Sequence, residues 1–169
     1  MNYSNPEYQY GHFTKIIKEF RALWKHYLIQ SFLAAIVTLI IFSLLSVGDI
    51  IIVASIGSTA FIVFTMPTYV TAKPRRVIGG HITGLLCGVL GAFVVQHSII
   101  TPVVVYSAIV GLSIFLMVAL DFEHPPASGT ALGVAVSGFS FKILVAILVS
   151  TIILSLTHHY MKKHLKDLI

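Results

Sequence analysis

Long apolar runs without charge dominate the chain. Three stretches contain no Lys, Arg, Asp or Glu, namely residues 27–48, 50–72 and 77–120. About 20 apolar residues cross the hydrocarbon core as a helix, so the longest stretch holds two crossings. The runs predict long helices at about 28–47, 77–96, 103–120 and 142–157, and shorter segments at about 50–66 and 127–139. We therefore predict an all-α integral membrane protein with about six transmembrane helices, two of them short or discontinuous.

Composition strengthens that assignment. Of the 169 residues, 57% are hydrophobic and 10% are charged, and the mean hydropathy is +0.94. A soluble domain needs a more polar exterior than this, so a soluble enzyme is excluded. The net charge of +5 suits loops that face the anionic lipid of a bilayer rather than nucleic acid. The single cysteine, Cys87, lies in an apolar run and is expected to be a small buried residue.

The segment before the first apolar run is amphipathic. Aromatic and aliphatic side chains recur at helical spacing over residues 6–27, with lysines and an arginine between them. A basic helix with Trp and Phe on its other face is typical of the membrane interface. We expect residues 1–27 to form an interfacial anchor or, alternatively, a segment that docks a partner or senses lipid. A helical bundle over 28–160 and a basic tail over 161–169 complete the domain organisation.

The distribution of Lys and Arg predicts the topology. With a cytoplasmic N-terminus, two crossings place the 67–76 linker, which contains Lys73, Arg75 and Arg76, on the cytoplasmic side. Six crossings return the basic tail to that side, whereas a re-entrant hairpin at 127–139 would leave it outside. We therefore predict six crossings of a cell inner membrane, with both termini cytoplasmic.

Similar small polar stretches open the two short segments. Residues 54–60 read ASIGSTA and residues 127–131 read ASGTA. Each follows a long apolar helix and precedes another, which predicts two three-helix repeats at about 28–97 and 102–160. Three crossings per unit would invert the second repeat relative to the first. The alternative is that these small residues serve only close helix packing.

Three motifs occur in order along the chain. They are Gly57-Ser58-Thr59-Ala60, Lys73-Pro74-Arg75-Arg76-Val77-Ile78-Gly79-Gly80-His81 and His124-Pro125-Pro126-Ala127. Together, within about residues 28–157, the sequence resembles the HPP family of integral membrane proteins, which is named for the His-Pro-Pro motif. Some plastid and cyanobacterial members are implicated in nitrite transport, and most bacterial members have no assigned function. The resemblance implies small-anion transport; the family is often described with four spans rather than six.

The short segments also contain candidate anion-binding residues. A helix that begins inside the membrane leaves its first N–H groups unpaired, and these favour an anion. Pro125-Pro126 supports such a start, because proline lacks the N–H that would be unpaired. The candidate substrate-binding residues at the two starts are Gly57, Ser58, Thr59, Ser128, Gly129 and Thr130. The alternative is again close packing through small residues.

Two histidines and two arginines complete the candidate site. His81 lies about one turn inside the third span, where an ionisable group suggests function, although a bond to a neighbouring carbonyl is the alternative. His124 could bind an anion or carry a proton, or it could fix the loop. Arg75 and Arg76 suit a planar anion or simply set the topology. Adjacent helix residues point about 100° apart, so at most one faces the site, and we favour Arg75 because it follows Pro74.

These features predict a transporter or channel for a small monovalent anion, nitrite for preference, bound between two half-helix N-termini near the midplane. It would have a polar cavity lined by Ser58, Thr59, Ser128 and Thr130. The alternative is a non-transporting scaffold or sensor that acts through the amphipathic N-terminus, with His81 packed dry. His158, His159 and His164 are expected on a solvated face, so we predict no metal and no cofactor. The sequence has no nucleophile motif or phosphate loop, which argues against an enzyme. A homo-oligomer, dimer or trimer, is expected.

Overall fold

The chain forms a bundle of helices. The computed structural model describes residues 6–45 and 50–169, with side chains from 14–44 and 51–169. The helices are α1 (Pro6–Leu45), α2 (Ile50–Thr65), α3 (Pro74–His97), α4 (Pro102–Ala119), α5 (Pro126–Ser137) and α6 (Phe141–Met161), with a 3-10 turn at Val70–Ala72. All regular secondary structure in these two ranges is helical, which confirms the predicted class. By length and hydropathy, α1, α3, α4 and α6 are each able to cross a membrane.

The two remaining helices are the short ones that the sequence predicts. α2 has 16 residues and α5 has 12. At 1.5 Å per residue they are about 24 and 18 Å long, less than the roughly 30 Å of a hydrocarbon core. α4 and α5 begin at Pro102 and Pro126, where proline fits the first turn of a helix. Gly138 ends α5 with a φ of +80°, which glycine adopts without strain.

The N-terminal segment does not form a helix of its own. α1 runs for 40 residues from Pro6 to Leu45 and contains both the amphipathic part and the first apolar run. This corrects the predicted boundary at residue 27. Between residues 12 and 45 the sequence has neither proline nor glycine, so nothing ends the helix there. The predicted end of the first span at Gly48-Asp49 lies outside the described residues.

The connections that contain most of the charged residues lie at one end of the bundle. The backbone N–H of Thr68 donates to Asp167 at 3.1 Å, and His158 Nε2 donates to the carbonyl oxygen of Pro67 at 2.8 Å. These contacts join the α2–α3 connection to the end of α6. We call this the charged end, because Lys73, Arg75, Arg76, Asp121, Glu123, Lys162, Lys163, Lys166 and Asp167 lie there.

The C-terminal tail is bound to the bundle rather than free. Gln30 of α1 makes two hydrogen bonds to the backbone of Lys166, each 2.9 Å long, and a third to the carbonyl oxygen of Phe64. The N–H of Leu168 donates to Thr65 at 2.8 Å, and Leu165 is buried. A buried amide such as that of Gln30 needs such partners, so the tail completes the packing between α1 and α2.

Glycines allow α3 and α5 to approach closely. A Cβ at Gly84 would lie 2.2 Å from the carbonyl oxygen of Ala127, and one at Gly88 would lie 2.7 Å from that of Ala131. Further along α3, a Cβ at Gly91 would lie 2.9 Å from that of Ala135. The contacts advance along both helices in the same direction, so α3 and α5 are parallel. Small residues at this spacing permit backbone contact between membrane helices.

The apolar core lies on two sides of α3. The larger cluster fills the space between α1, α2, α3 and α6, and Phe64, Ile147 and Leu154 are fully buried in it. The smaller cluster lies where α3, α4 and α5 meet, and it includes Cys87 beside Val105 and Ile109. Cys87 is free and buried, as expected.

Candidate functional site

A cluster of buried polar side chains lies where α2, α3 and the start of α5 meet. Its members are Ser55, Thr59, His81, His124 and Thr130, and none is more than 4% exposed. We call it the buried polar cluster. None of its members carries an acidic group, and each is hydrogen bonded. Polar groups buried in a membrane bundle are costly unless they are paired, so the cluster is a candidate functional site.

Thr59 is the centre of the cluster. Its Oγ1 lies 2.9 Å from His81 Nε2 and 3.0 Å from His124 Nε2, and the two imidazole rings are 5.1 Å apart. Thr59 Oγ1 also lies 3.0 Å from the carbonyl oxygen of Ser55, one helical turn earlier. One hydroxyl therefore bridges a histidine of α3 and the histidine of the His-Pro-Pro motif.

The cluster continues from His81 towards α5. His81 Nδ1 lies 2.8 Å from Thr130 Oγ1, which in turn lies 2.8 Å from Ser55 Oγ. Ser55 Oγ also donates to the carbonyl oxygen of Pro126 at 2.7 Å. The hydroxyls of α2 and α5 thus meet directly, and the start of α5 is fixed against α2.

His124 ends the cluster at the charged end. It lies in the connection between α4 and α5, and its Nδ1 donates to the carbonyl oxygen of Thr71 at 2.9 Å. Burial lowers the pKa of His124 from 6.5 to about 4, although the hydrogen bond to Thr71 acts in the opposite direction. The His124 imidazole is therefore neutral at neutral pH.

The first predicted helix start is not where the sequence suggested. Gly57, Ser58 and Thr59 lie in the middle of α2, which is already helical at Ile50. Their N–H groups therefore belong to the interior of a helix, and Ser58 Oγ donates back to the carbonyl oxygen of Ala54 at 2.9 Å. The apolar residues before Gly57 favour helix in the membrane, so small residues alone do not begin one.

The second predicted start is correct in position. Ser128, Gly129 and Thr130 follow directly after Pro126, the first residue of α5. The N–H of Ser128 donates to the carbonyl oxygen of Pro125 at 3.2 Å, and Ser128 Oγ donates to the same oxygen at 2.8 Å. These local bonds occupy donors that the predicted anion site would use.

The predicted central polar cavity does not match the described openings. A groove of about 910 Å³ runs between α2 and α5, and Gly57, Ser58 and Ser55 line it with mainly apolar neighbours. A separate cavity of about 240 Å³ is lined by His124, Glu123 and Ser128 together with residues of α4. We call these the α2/α5 groove and the His124 cavity. Thr59 and Thr130 are fully buried between them.

The two arginines form ion pairs with the α4–α5 connection. Arg76 pairs with Asp121 and Glu123, and its side chain is only 16% exposed. Arg75 is 66% exposed, pairs with Asp121 at 3.2 Å, and lies over the ring of Phe122. Arg76 therefore turns inward, whereas Arg75, which the sequence analysis favoured, is the more exposed of the two. Asp121 and Glu123 determine this orientation, and their pairing with the arginines was not predicted from the sequence.

Three contributors to the buried polar cluster and the charged end were not predicted from the sequence. Ser55 was noted only as part of a repeat, although its position four residues before Thr59 places both on one face of α2. The carbonyl group of Thr71 carries no sequence signal. His158, expected on a solvated face, is buried against Pro67, whereas His159 and His164 are exposed. Within the described ranges, no three His, Cys, Asp or Glu side chains could hold a metal ion.

These features define an all-helical integral membrane protein with two short helices around a histidine-containing polar cluster. A family model described as "HPP, transmembrane region" matches residues 18–166. The chain therefore belongs to the HPP family of transmembrane proteins, as its motifs indicated. No curated protein and no solved structure matches it.

Proposed function

We propose that the protein is a transporter for a small monovalent anion, with nitrite as the preferred substrate, rather than an enzyme. The observation that carries the proposal is the buried polar cluster. Ser55 and Thr59 of α2, His81 of α3 and Thr130 of α5 supply hydroxyl and imidazole donors at the meeting point of the two short helices. Donors without a competing carboxylate suit an anion.

The binding mode differs from a pair of half-helix N-termini. In the arrangement that we propose, the anion binds to hydroxyl and imidazole N–H groups once α2 and α5 have moved apart. Their contact at Ser55 and Thr130 closes the cluster, so the described conformation is a closed state. The charged end supplies Lys73, Arg75 and three lysines of the C-terminal segment, which would attract anions to one side of the membrane.

Topology and assembly belong to the same proposal. The order long, short, long in α1–α3 and again in α4–α6 supports two inverted repeats. The basic residues of the charged end support cytoplasmic termini and an inner-membrane location. Large apolar side chains such as Phe32 and Phe115 are exposed and suit lipid or a second copy in a homo-oligomer, a dimer or trimer.

Anion uptake into vesicles tests the proposal. Purified protein is reconstituted, and nitrite, nitrate and formate uptake are compared with protein-free vesicles. We expect nitrite uptake only with protein, and a large loss in Thr130→Val, which removes a cluster hydroxyl at nearly constant volume. Thr83→Val is the matched control, because Thr83 is also buried, in α3, but its hydroxyl donates within its own helix, to the carbonyl oxygen of Gly79. Equal uptake with and without protein would reject transport.

A second candidate has an observation in its favour. His81 is 1% exposed and both of its ring nitrogens are hydrogen bonded, as expected for a non-transporting scaffold or sensor. In that case the cluster only fixes α2, α3 and α5 together. Such a protein would give no uptake above the protein-free level, and Thr130→Val would then change stability alone.

A further inference from the structure

The hydrogen bonds of the buried polar cluster have a defined direction. The carbonyl oxygen of Thr71 can only accept, so His124 must donate from Nδ1. A neutral imidazole carries one proton, which leaves His124 Nε2 as an acceptor. Among the described side chains, the hydroxyl of Thr59 is the donor that reaches that nitrogen, at 3.0 Å. The same hydroxyl lies 3.0 Å from the carbonyl oxygen of Ser55, so Thr59 shares its single proton between two acceptors, and the direction towards His124 is the one that satisfies the imidazole.

The directions of the other hydrogen bonds in the cluster follow from that of Thr59. With its own proton directed to His124, Thr59 must accept at His81, so His81 donates from Nε2. His81 Nδ1 is then an acceptor, and the hydroxyl of Thr130 donates to it. Thr130 in turn accepts from Ser55, whose proton is shared with a carbonyl of α5. Apart from the bonds of Ser55 and Thr59 to backbone carbonyl groups, each side chain in this order donates to the next one towards the charged end.

The two ends of this chain lie at different openings. Ser55 lines the α2/α5 groove, and His124 lines the His124 cavity at the charged end. Between them, Thr59, His81 and Thr130 are closed off by α2, α3 and α5. The hydrogen-bond chain is thus the polar connection across a region in which the side chains are otherwise packed together.

We propose that the buried polar cluster is a proton relay between the α2/α5 groove and the His124 cavity. A proton that arrives at Ser55 Oγ displaces the Ser55 proton to Thr130, and the Thr130 proton passes to His81 Nδ1. His81 then releases its Nε2 proton to Thr59, and the Thr59 proton passes to His124 Nε2. The bond from His124 Nδ1 to the carbonyl oxygen of Thr71 then breaks, and His124 loses that Nδ1 proton to the cavity. One proton enters and one leaves, only O–H and N–H bonds are exchanged, and no electron is transferred.

The titratable groups near the relay lie at its His124 end. α2 and α5 contain no Lys, Arg, Asp, Glu or His, and α4 contributes only apolar side chains to the His124 cavity. Glu123 lines that cavity and is ion paired with Arg76, and Asp121 takes part in the same group of ion pairs. His81 and His124 are therefore the titratable groups of the relay itself, and Glu123 lies beside its exit.

The relay goes beyond the proposed function, because it requires the hydrogen-bond chain and no bound anion. It also suits that function. An anion that enters a cell moves against the membrane potential, which is negative inside. A proton that moves with the anion cancels this charge, so a relay beside the anion path would make uptake electrically neutral.

Proton flux without any transported anion tests the relay. The wild-type protein is reconstituted with a pH-sensitive dye inside the vesicles, and a pH gradient is applied with potassium and valinomycin to balance charge. We expect protein-dependent flux that falls by about tenfold or more in Thr59→Val, which lacks the central hydroxyl. Thr59→Ser, which keeps the hydroxyl, and Thr83→Val, which removes a buried hydroxyl outside the cluster, should retain wild-type flux. Flux in Thr59→Val equal to wild type, or wild-type flux equal to that of empty vesicles, would overturn the relay.

Nitrogen-15 NMR of histidine-labelled protein gives a readout that does not depend on flux. The direction of the chain requires the Nε2–H tautomer at His81 and the Nδ1–H tautomer at His124, each assigned by its own His→Gln variant. The opposite tautomers would overturn the relay. Nitrite uptake without proton flux would reject the relay alone, whereas proton flux without uptake of any anion would reject only the proposed transport function.

Discussion

Gly84→Ala probes the close contact between α3 and α5, two of the three helices that surround the buried polar cluster. The added Cβ would lie 2.2 Å from the carbonyl oxygen of Ala127, while ordinary contact begins at 3.4 Å. The oxygen belongs to the backbone of α5, so no side-chain rotation relieves the clash, and the helices must part by about 1 Å. Overpacking of a closely packed core costs about 1–3 kcal/mol, and a backbone clash belongs at the upper end of that range.

The single buried thiol, Cys87, provides the assay, because it lies one turn from Gly84 and reacts with a thiol-sensitive dye only when the bundle opens. At about 2–3 kcal/mol, the apparent Tm should fall by roughly 4–12 °C for a chain of this size. Gly57→Ala is the matched control. It adds the same methyl group to α2 where nothing lies within 4 Å, so its Tm should stay the same or rise slightly. If both variants unfold at the same temperature, the close α3–α5 contact is wrong.

Three further predictions concern the charged end. Gln30→Leu removes the two hydrogen bonds to the backbone of Lys166, so carboxypeptidase should digest the C-terminal tail about tenfold faster. Gln96→Leu, at an exposed position, should leave the digestion rate unchanged. Equal digestion rates in the two variants would contradict a tail that is bound to the bundle. The folded pKa of His124, about 4, lies below 6.5, so stability should be full above pH 6.5 and decline as pH falls towards 4. In a Tm–pH series, His124→Asn should show a smaller slope, and an unchanged slope would refute the assignment. In thermal unfolding, Arg76→Gln should lower the free energy of unfolding by about 1–3 kcal/mol and Arg75→Gln by less than about 1 kcal/mol, because Arg76 is the largely buried one of the two. A larger loss of stability in Arg75→Gln would contradict the inward orientation of Arg76.

Local signals explain the parts of the fold that the sequence predicts well. Pro102 and Pro126 determine where α4 and α5 begin, because a proline fits the first turn and disrupts a helix interior. The boundary at residue 27 fails for a related reason. The change from amphipathic to apolar composition marks where the helix leaves the interface and enters the apolar part of the membrane. Because no proline or glycine occurs there, α1 continues through this change.

Contacts between distant residues explain what the sequence could not supply. His81 and His124 were candidates from their types and positions, yet their shared partner Thr59 becomes visible only when α2, α3 and the α4–α5 connection meet. Arg76 turns inward because the acidic residues after α4 lie beside it, and nothing in the order Arg-Arg indicates which one does so. Gln30 is hydrogen bonded to Lys166, 136 positions later in the sequence, and the spacing of apolar residues cannot predict so distant a contact.

Cross-linking α2 to α5 tests the central claim, that anion passage requires these short helices to part at the buried polar cluster. A Cβ at Gly133 would lie 3.4 Å from that of Ile51, close to the separation in a disulfide, and neither residue belongs to the cluster. The pair Ile51→Cys and Gly133→Cys is built with Cys87→Ala and reconstituted. We predict that the oxidised protein takes up no nitrite and that a reductant restores uptake in the same vesicles. Full uptake by the oxidised, fully cross-linked protein would contradict the account.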